Sequence, residues 1–483
     1  MGLRWQLLRR VFIFSVSFEV RSFERSLKNP AKAQAKALRK IQRRLNFRPA
    51  SLQEFRLKYQ ITGEEQLVSI GDRLRGINIV DCETTSGSSG KPKNIPYTKS
   101  LLGDFQHMFR LWAWDIVVNV PLQSGTFFFS VSPQAKESRL SEDSGYLQSS
   151  MRWLMKDLWT IDASKLRKQT HERFMRSLAK HLLARPDLEI ISVWSPSYLL
   201  VLLSEMQLLK PDWNGDTHEI FPKLKIISVW GSAMAERGFQ QIRERFPTVL
   251  VQAKGLIATE APLTIPWFRS RSFVPLVEDI FFEFLDENNE VLLLTELTVG
   301  QTYEVVITTS GGLIRYRLGD LVRVAQMYGP TPCLEFVGRA GEVCDLAGEK
   351  LSECAVRIQL QQFESELGFY IVVPDPVSMR YLVFAERDPQ GLISQMDRSL
   401  QNIFHYEVAR QQRQLDELEA YHLAPLREIY YRWLEGRQMR LGDIKEKCLI
   451  SKLEMAASFL EFVRTPTEHR VPFDRADKPE TNL

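Results

Sequence analysis

The sequence predicts an α/β protein: a large amino-terminal domain with mixed sheets and a β-barrel-like layer, followed by a smaller, mobile carboxyl-terminal α/β domain. Three observations carry this. Two apolar runs, 190–194 and 226–230, flank a helix-length apolar stretch at 198–209, and strand, helix, strand in that order makes a parallel βαβ unit. From Asp279 the pattern changes to short strand-like runs at 281–285, 291–297, 303–308, 313–317 and 321–324, which read as an antiparallel or barrel-like layer. After Gly338-Arg339-Ala340-Gly341, a hinge signal, residues 345–464 have the alternating character of a small α/β lid, and 465–483 form a polar tail.

Taken from the beginning, residues 1–50 hold 13 Lys/Arg and two acids, Glu19 and Glu24, a net of 13 − 2 = +11. The whole chain is +4, so the remainder is 4 − 11 = −7. That excludes a global nucleic-acid field and concentrates positive charge in an amino-terminal helical arm. The arm suits the solvated face of surface helices packed on the body, or peripheral contact with an acidic membrane. The run 11–16 is too short to span a bilayer and reads as a buried or interfacial helix. Asn29-Pro30 is a helix start, and Ala31, Ala35, Leu38, Ile41 and Leu45 make one apolar stripe behind it. Five cysteines with no CxxC pair and no zinc spacing exclude a disulfide framework and fit a reducing, cytoplasmic setting.

Residues 51–338 form the large domain. A strand at 77–80 runs into Thr84-Thr85-Ser86-Gly87-Ser88-Ser89-Gly90-Lys91-Pro92-Lys93. Glycines and small hydroxyl residues let backbone N–H groups turn inward and a ligand approach closely, and Lys91 and Lys93 add full positive charge. A polyphosphate is the natural occupant, although such runs also serve as linkers. The loop is not a Walker A motif, because two residues separate Gly87 from Gly90 and proline follows Lys91. The next apolar stretch, 101–120, places Phe105, Phe109, Trp112 and Trp114 on a helix, as core or as one wall of an apolar pocket. A buried strand follows at 125–130; Thr126 to Ser130, Trp112, Trp114 and Tyr146 are candidates for that pocket.

Four stretches then line up: the Ser/Gly loop, Leu256-Ile257-Ala258-Thr259-Glu260, Tyr316-Arg317-Leu318-Gly319-Asp320, and Phe336-Val337-Gly338-Arg339 with Gly348-Glu349-Lys350. In this order they resemble the adenylate-forming enzymes. Together with Asn29-Pro30-Ala31-Lys32-Ala33-Gln34, Asn402, Tyr406, Ala409-Arg410 and Gly442-Asp443-Ile444-Lys445, they resemble the Gretchen Hagen family of acyl-acid amido synthetases. The family's tyrosine-serine-serine-glutamate motif lacks its tyrosine here.

The resemblance implies an adenylation domain under a mobile lid, using ATP and Mg²⁺. It implies that Ser86, Ser88, Ser89, Gly90, Lys91 and Lys93 hold the outer phosphates. Glu260 would bind Mg²⁺, and Thr259 would touch the α-phosphate. Ala233 and Ile257 would frame the adenine, with Tyr316 beside the nucleotide. Asp320 would accept from the ribose hydroxyls next to Arg339, and Lys445 would swing in with the lid. The implied activity is adenylation of a carboxylic acid and acyl transfer to an amine, an amino acid. A thiol acceptor, or a binding protein that keeps the fold, would use many of the same residues. Catalysis of this kind rests on positioning and charge neutralisation, and the absence of a GxSxG elbow fits that.

Overall fold

The computed structural model describes residues 2–47, 49–63, 65–85, 93–129, 171–231, 235–340, 343–344, 346–347, 349, 351–437, 444 and 446–464. The chain divides into two units, Met1–Val337 and Gly338–Leu483. Sequence features at 86–92, 130–170, 232–234, 438–443, 445 and 465–483 lie outside the described residues.

The first unit opens with two helices, α1 (Gly2–Leu27) and α2 (Pro30–Arg44). Asn29 caps α2 by accepting from Lys32 N at 3.2 Å, and Pro30 starts it. The buried face of α2 is Pro30, Ala33, Gln34, Ala37, Leu38 and Ile41, whereas Ala31 and Ala35 of the predicted stripe are exposed. The correction has a polar cause. Gln34 Nε2 donates to Val277 O and Ile280 O at 3.1 and 2.8 Å, and Gln34 Oε1 accepts from Phe282 N at 2.8 Å. A glutamine with these partners satisfied packs inward as well as an apolar residue, which rotates the stripe by one position. α1 buries Val16, Val20, Phe23 and Leu27, and Phe23 meets Trp267 edge to face at 5.5 Å.

Two short helices follow, α3 (Leu52–Lys58) and α4 (Gln66–Arg73). A hairpin, β1 (Ile79–Thr85) and β2 (Lys93–Thr98), then leads into α5 (Lys99–Asn119), whose Thr98 cap accepts from Leu101 N at 3.1 Å. A parallel sheet follows, β3 (Phe127–Phe129), β4 (Ile190–Ser192), β5 (Ile226–Val229) and β6 (Leu250–Ala253), in that order. The helix Pro196–Leu209 connects β4 to β5, as the βαβ reading predicts. The strands β3 to β5 are buried, and apart from Ser192, Ser228 and Gln252 the residues of the four strands are apolar. Phe127, Phe129, Ile190 and Ile226 join the core containing α5, while Phe128, Ile191 and Ile227 pack with the helices His171–Leu183 and Pro196–Leu209.

A tight hairpin, β7 (Ile257–Ala258) and β8 (Ala261–Pro262), and a second one, β9 (Thr264–Trp267) and β10 (Ser272–Pro275), precede the antiparallel layer. That layer has the order β12-β11-β13-β14-β15, with β11 Phe281–Leu285, β12 Val291–Leu293, β13 Thr302–Thr308, β14 Tyr316–Tyr328 and β15 Thr331–Arg339. Of the strand runs expected at 313–317 and 321–324, residues 316–317 and the whole second run belong to one strand, β14, while 313–315 precede it without strand structure. Glu304 pairs with Leu321 and Val306 with Arg317, so 318–320 bulge out of register around Gly319, at φ +81°.

The second unit has a small hairpin, β16 (Val343–Cys344) and β17 (Leu351–Ser352), and a sheet of β18 (Tyr370–Asp375), β19 (Arg380–Ala385) and β20 (Glu419–His422). Val372 and Val383 face one core with Val356 and Met396; Ile371 and Phe384 face another with Tyr430 and Phe459. The family-like Tyr406 and Arg410 are structural here: both donate to Asp397, at 2.8 and 3.0 Å.

Candidate active site

The hairpin β1–β2 carries the Ser/Gly loop between its strands, and its return strand is tied down at two points. Tyr97 OH donates to Thr259 O at 2.8 Å. Thr98 Oγ1 donates to Ser310 O at 3.1 Å, and Ser310 Oγ donates to Asp104. Ser86, Ser88, Ser89, Gly90 and Lys91, and the Lys93 side chain, lie outside the described residues, as do Ala233 and Lys445.

Thr259 and Glu260 form the two-residue turn between Ala258 and Ala261. Gly255, just before β7, has no room for a side chain: a Cβ there would lie 2.1 Å from Thr264 O. Glu260 is buried, as is Asp320, the last residue of the bulge around Gly319; Tyr316 and Leu318 are buried with it along β14. Tyr97, Ile257, Ala258, Tyr316 and Leu318 all belong to one apolar cluster. Two of the four motif stretches, 256–260 and 316–320, and the strand that follows the Ser/Gly loop thus contribute to one apolar cluster within the first unit. Arg339 ends β15, in the second unit. Among the described residues no group of three His, Cys, Asp or Glu forms a metal-binding cluster.

A second polar group lies at the carboxyl ends of the parallel strands, where ligands of open α/β sheets bind. Phe129, Ser192, Ser228 and Gln252 are paired across the four strands in one row. Lys254, 7% exposed, donates to Ser192 Oγ at 2.7 Å and lies 5.3 Å from the Trp112 ring and 4.9 Å from that of Trp194. Trp112 Nε1 donates to Gln252 Oε1 at 3.1 Å. Trp114 faces elsewhere and stacks on Trp267 at 6.4 Å, because two helical positions lie on nearly opposite sides. Thr126 precedes β3, at the sheet's other end, and bonds Asp187 O. Of the described pocket candidates, Trp112 alone stands beside Lys254. Tyr97, Ser310 and Lys254 were not singled out from the sequence; only Lys254, a lone charge between a strand and Gly255, carried a visible signal.

Behind β2 sits a charge network between α2 and α5, at a cavity of about 610 Å³. Lys40 Nζ lies 2.9 Å from Asp279 and 3.7 Å from Asp104, Arg44 lies 3.7 Å from Asp104, and His107 Nδ1 lies 2.6 Å from Asp279. Burial, with Asp279 nearby, pushes the Asp104 carboxyl up to about 7. Burial opposes the charge on His107, but Asp279 outweighs it and holds the imidazole above its ordinary value. Burial likewise acts against ionised Asp279; His107 and Lys40 overcome it and keep this carboxylate well below the usual range.

The fold is shared with solved enzyme structures. Its structure is similar to one described as "AtGH3.15 acyl acid amido synthetase in complex with 2,4-DB", with TM-score 0.75 at 18% identity over 91% of this chain and 95% of that one. It is also similar to a 2-hydroxyisobutyryl-CoA ligase in complex with 2-HIB-AMP, with TM-score 0.58 at 14% identity over 89% and 90%. More particularly, residues 71–212 match the family model described as the GH3 family N-terminal domain, and residues 273–339 the one described as the GH3 family central domain. It is 26% identical over 226 residues to the indole-3-acetic acid-amido synthetase GH3.4 of Arabidopsis thaliana, covering 43% of this chain and 35% of the relative. It is 37% identical over 102 residues to the jasmonoyl-L-amino acid synthetase GH3.5 of Oryza sativa subsp. japonica, covering 19% and 18%. The matches thus span about a third or less of these relatives' lengths.

Proposed function

We propose that this protein uses ATP to adenylate a carboxylic acid and passes the acyl group to the amine of an amino acid. The observation that carries the reading is the hydrogen bond from Tyr97 to Thr259 O, which fastens the strand leaving the Ser/Gly loop to the Thr259-Glu260 turn, within the core that also holds Tyr316. In the first half-reaction a carboxylate oxygen attacks the α-phosphorus, the bond to the bridging oxygen breaks, and pyrophosphate leaves. In the second, the amine nitrogen attacks the acyl carbon, AMP leaves with the bonding pair, and the nitrogen loses its proton.

The donor set suits the nucleotide. Mg²⁺ bound mainly through phosphates needs one or two protein carboxylates, and Glu260 supplies one. Asp320 offers paired acceptors to a ribose diol. Ser86, Ser88, Ser89, Gly90, Lys91 and Lys93 would hold the phosphates, Thr259 the α-phosphate, Ala233, Ile257 and Tyr316 the base, and Arg339 the ribose. Lys445 would neutralise charge developing at the α-phosphate. The Ser192–Ser228–Gln252 row under Trp112 and Lys254 would receive the acid. None of the five cysteines is in a disulfide, which fits a cytoplasmic enzyme.

The test is pyrophosphate exchange across a panel of carboxylic acids. Acid-dependent exchange, abolished separately by Lys93→Ala and Asp320→Asn, supports the reading. No exchange with any acid and no ATP binding overturns it in favour of a binding protein. Offering CoA and amino acids in turn to the adenylated enzyme distinguishes a thiol from an amine acceptor.

A further inference from the structure

The outward face of α1 is apolar. Leu7, Val11, Phe14 and Phe18 are 64%, 51%, 85% and 76% exposed, and their spacing of four, three and four residues places them in one stripe. Phenylalanines this open to water are unusual on a face with nothing to cover it. The inward face, with Trp5, Val16, Val20, Phe23 and Leu27, is already buried against the body, so the stripe is not surplus core. α1 is therefore apolar on two sides, and its second side has no described protein partner.

Charge identifies what covers it. Arg10 and Arg21 border the stripe, Arg25 and Lys28 extend it, and all four are exposed. The only acids in α1 are turned away from the stripe and paired. Glu19 accepts from Arg110 at 2.8 Å, and Glu24 from Trp267 Nε1 at 2.9 Å and Arg269 at 3.3 Å. The exposed face of this helix thus presents aromatic and aliphatic side chains with positive charge and no opposing negative charge. No described helix is long and apolar enough to cross a membrane. A helix lying in the interfacial plane needs one apolar side and a basic border.

We infer that α1 docks this protein, in plane, on an anionic lipid bilayer. Phe14 and Phe18 enter the acyl boundary, and Arg10, Arg21, Arg25 and Lys28 meet lipid phosphates. A second copy pairing through the same stripe would set four arginines and lysines against four more, which the charge disfavours.

The experiment is co-sedimentation of the full chain with vesicles of phosphatidylcholine alone or with about one third phosphatidylglycerol. Binding to the anionic vesicles is expected to exceed binding to the neutral ones by roughly tenfold or more and to weaken with added salt. The double substitution F14E/F18E should abolish binding while leaving the melting temperature unchanged, since both side chains are exposed. Equal sedimentation with both vesicles, none with either, or binding untouched by F14E/F18E overturns the inference. So does a lipid-free dimer, seen by analytical ultracentrifugation, that F14E/F18E dissociates.

Discussion

Tyr97 and Thr259 are 162 positions apart in the chain and 2.8 Å apart in space, hydroxyl to carbonyl. The bond joins the two segments whose relative placement matters most to the proposed reaction, the strand leaving the Ser/Gly loop and the turn bearing Glu260. Tyr97→Phe keeps the ring, which is fully buried and stacked on Phe105 at 5.5 Å, and deletes one hydrogen bond. A stability loss of about 1 kcal/mol is expected from chemical denaturation. A fall of about tenfold in pyrophosphate exchange should accompany it, because misplacement of this order is costly in positioning catalysis.

Gln34 gives a stability prediction with a sign that polarity alone would miss. Gln34→Ala strands two carbonyls and one N–H in the core and should cost about 3 kcal/mol in denaturant unfolding. Gln34→Glu, though the closer shape, puts a carboxylate against the Val277 and Ile280 carbonyls and should be at least as damaging.

The pH dependence of stability follows from three buried groups. Burial raises both Asp104 and Asp115 to about 7, and His107 is raised above its ordinary value despite burial. Each folded-state affinity for protons exceeds the unfolded one, so each contribution is complete at low pH and lost as pH rises through the folded value. Asp279 has the opposite sign, but its loss begins only in the acid range, below the ordinary aspartate value. Thermal melts should therefore show a maximum near about pH 4 and a decline from about pH 4 to 7 as the two aspartates ionise, with the His107 contribution lost from about pH 6.5 upward. Asp104→Asn should flatten that decline, by at most about 1.4 kcal/mol per pH unit.

Lys254 should govern the acid rather than the nucleotide. Lys254→Met keeps the aliphatic stem between Trp112 and Trp194 and removes the charge and the bond to Ser192. An increase of about tenfold or more in KM for the acid, with KM for ATP unchanged, is the expected steady-state result. A change confined to ATP would contradict the acid-site assignment.

Much of the architecture was legible because it is local. The parallel strands, their connecting helix and the change to antiparallel pairing after Asp279 are written as runs of buried residues and turn signals. What was hidden is long-range or polar. A sequence pattern treats Gln34 as a break in an apolar stripe, whereas three distant backbone groups make it core. The two strand runs around Gly319 looked separate because a bulge shifts the register without ending the strand. Trp112 and Trp114 looked alike until helical geometry sent one to Lys254 and the other to Trp267. The motif stretches could be named in advance, but the hydroxyls that fasten the strand after the Ser/Gly loop, on Tyr97, Thr98 and Ser310, depend on contacts more than 160 residues away.

The edge-to-face contact of Phe23 with Trp267, together with Gln34's grip on β11, bears on how the molecule can be cut. Recombinant fragments trimmed to the recognised domain limits, beginning at residue 71, would discard both. Such pieces would expose Trp267 and are expected to precipitate, so inactivity measured on them would report the truncation and not the full chain.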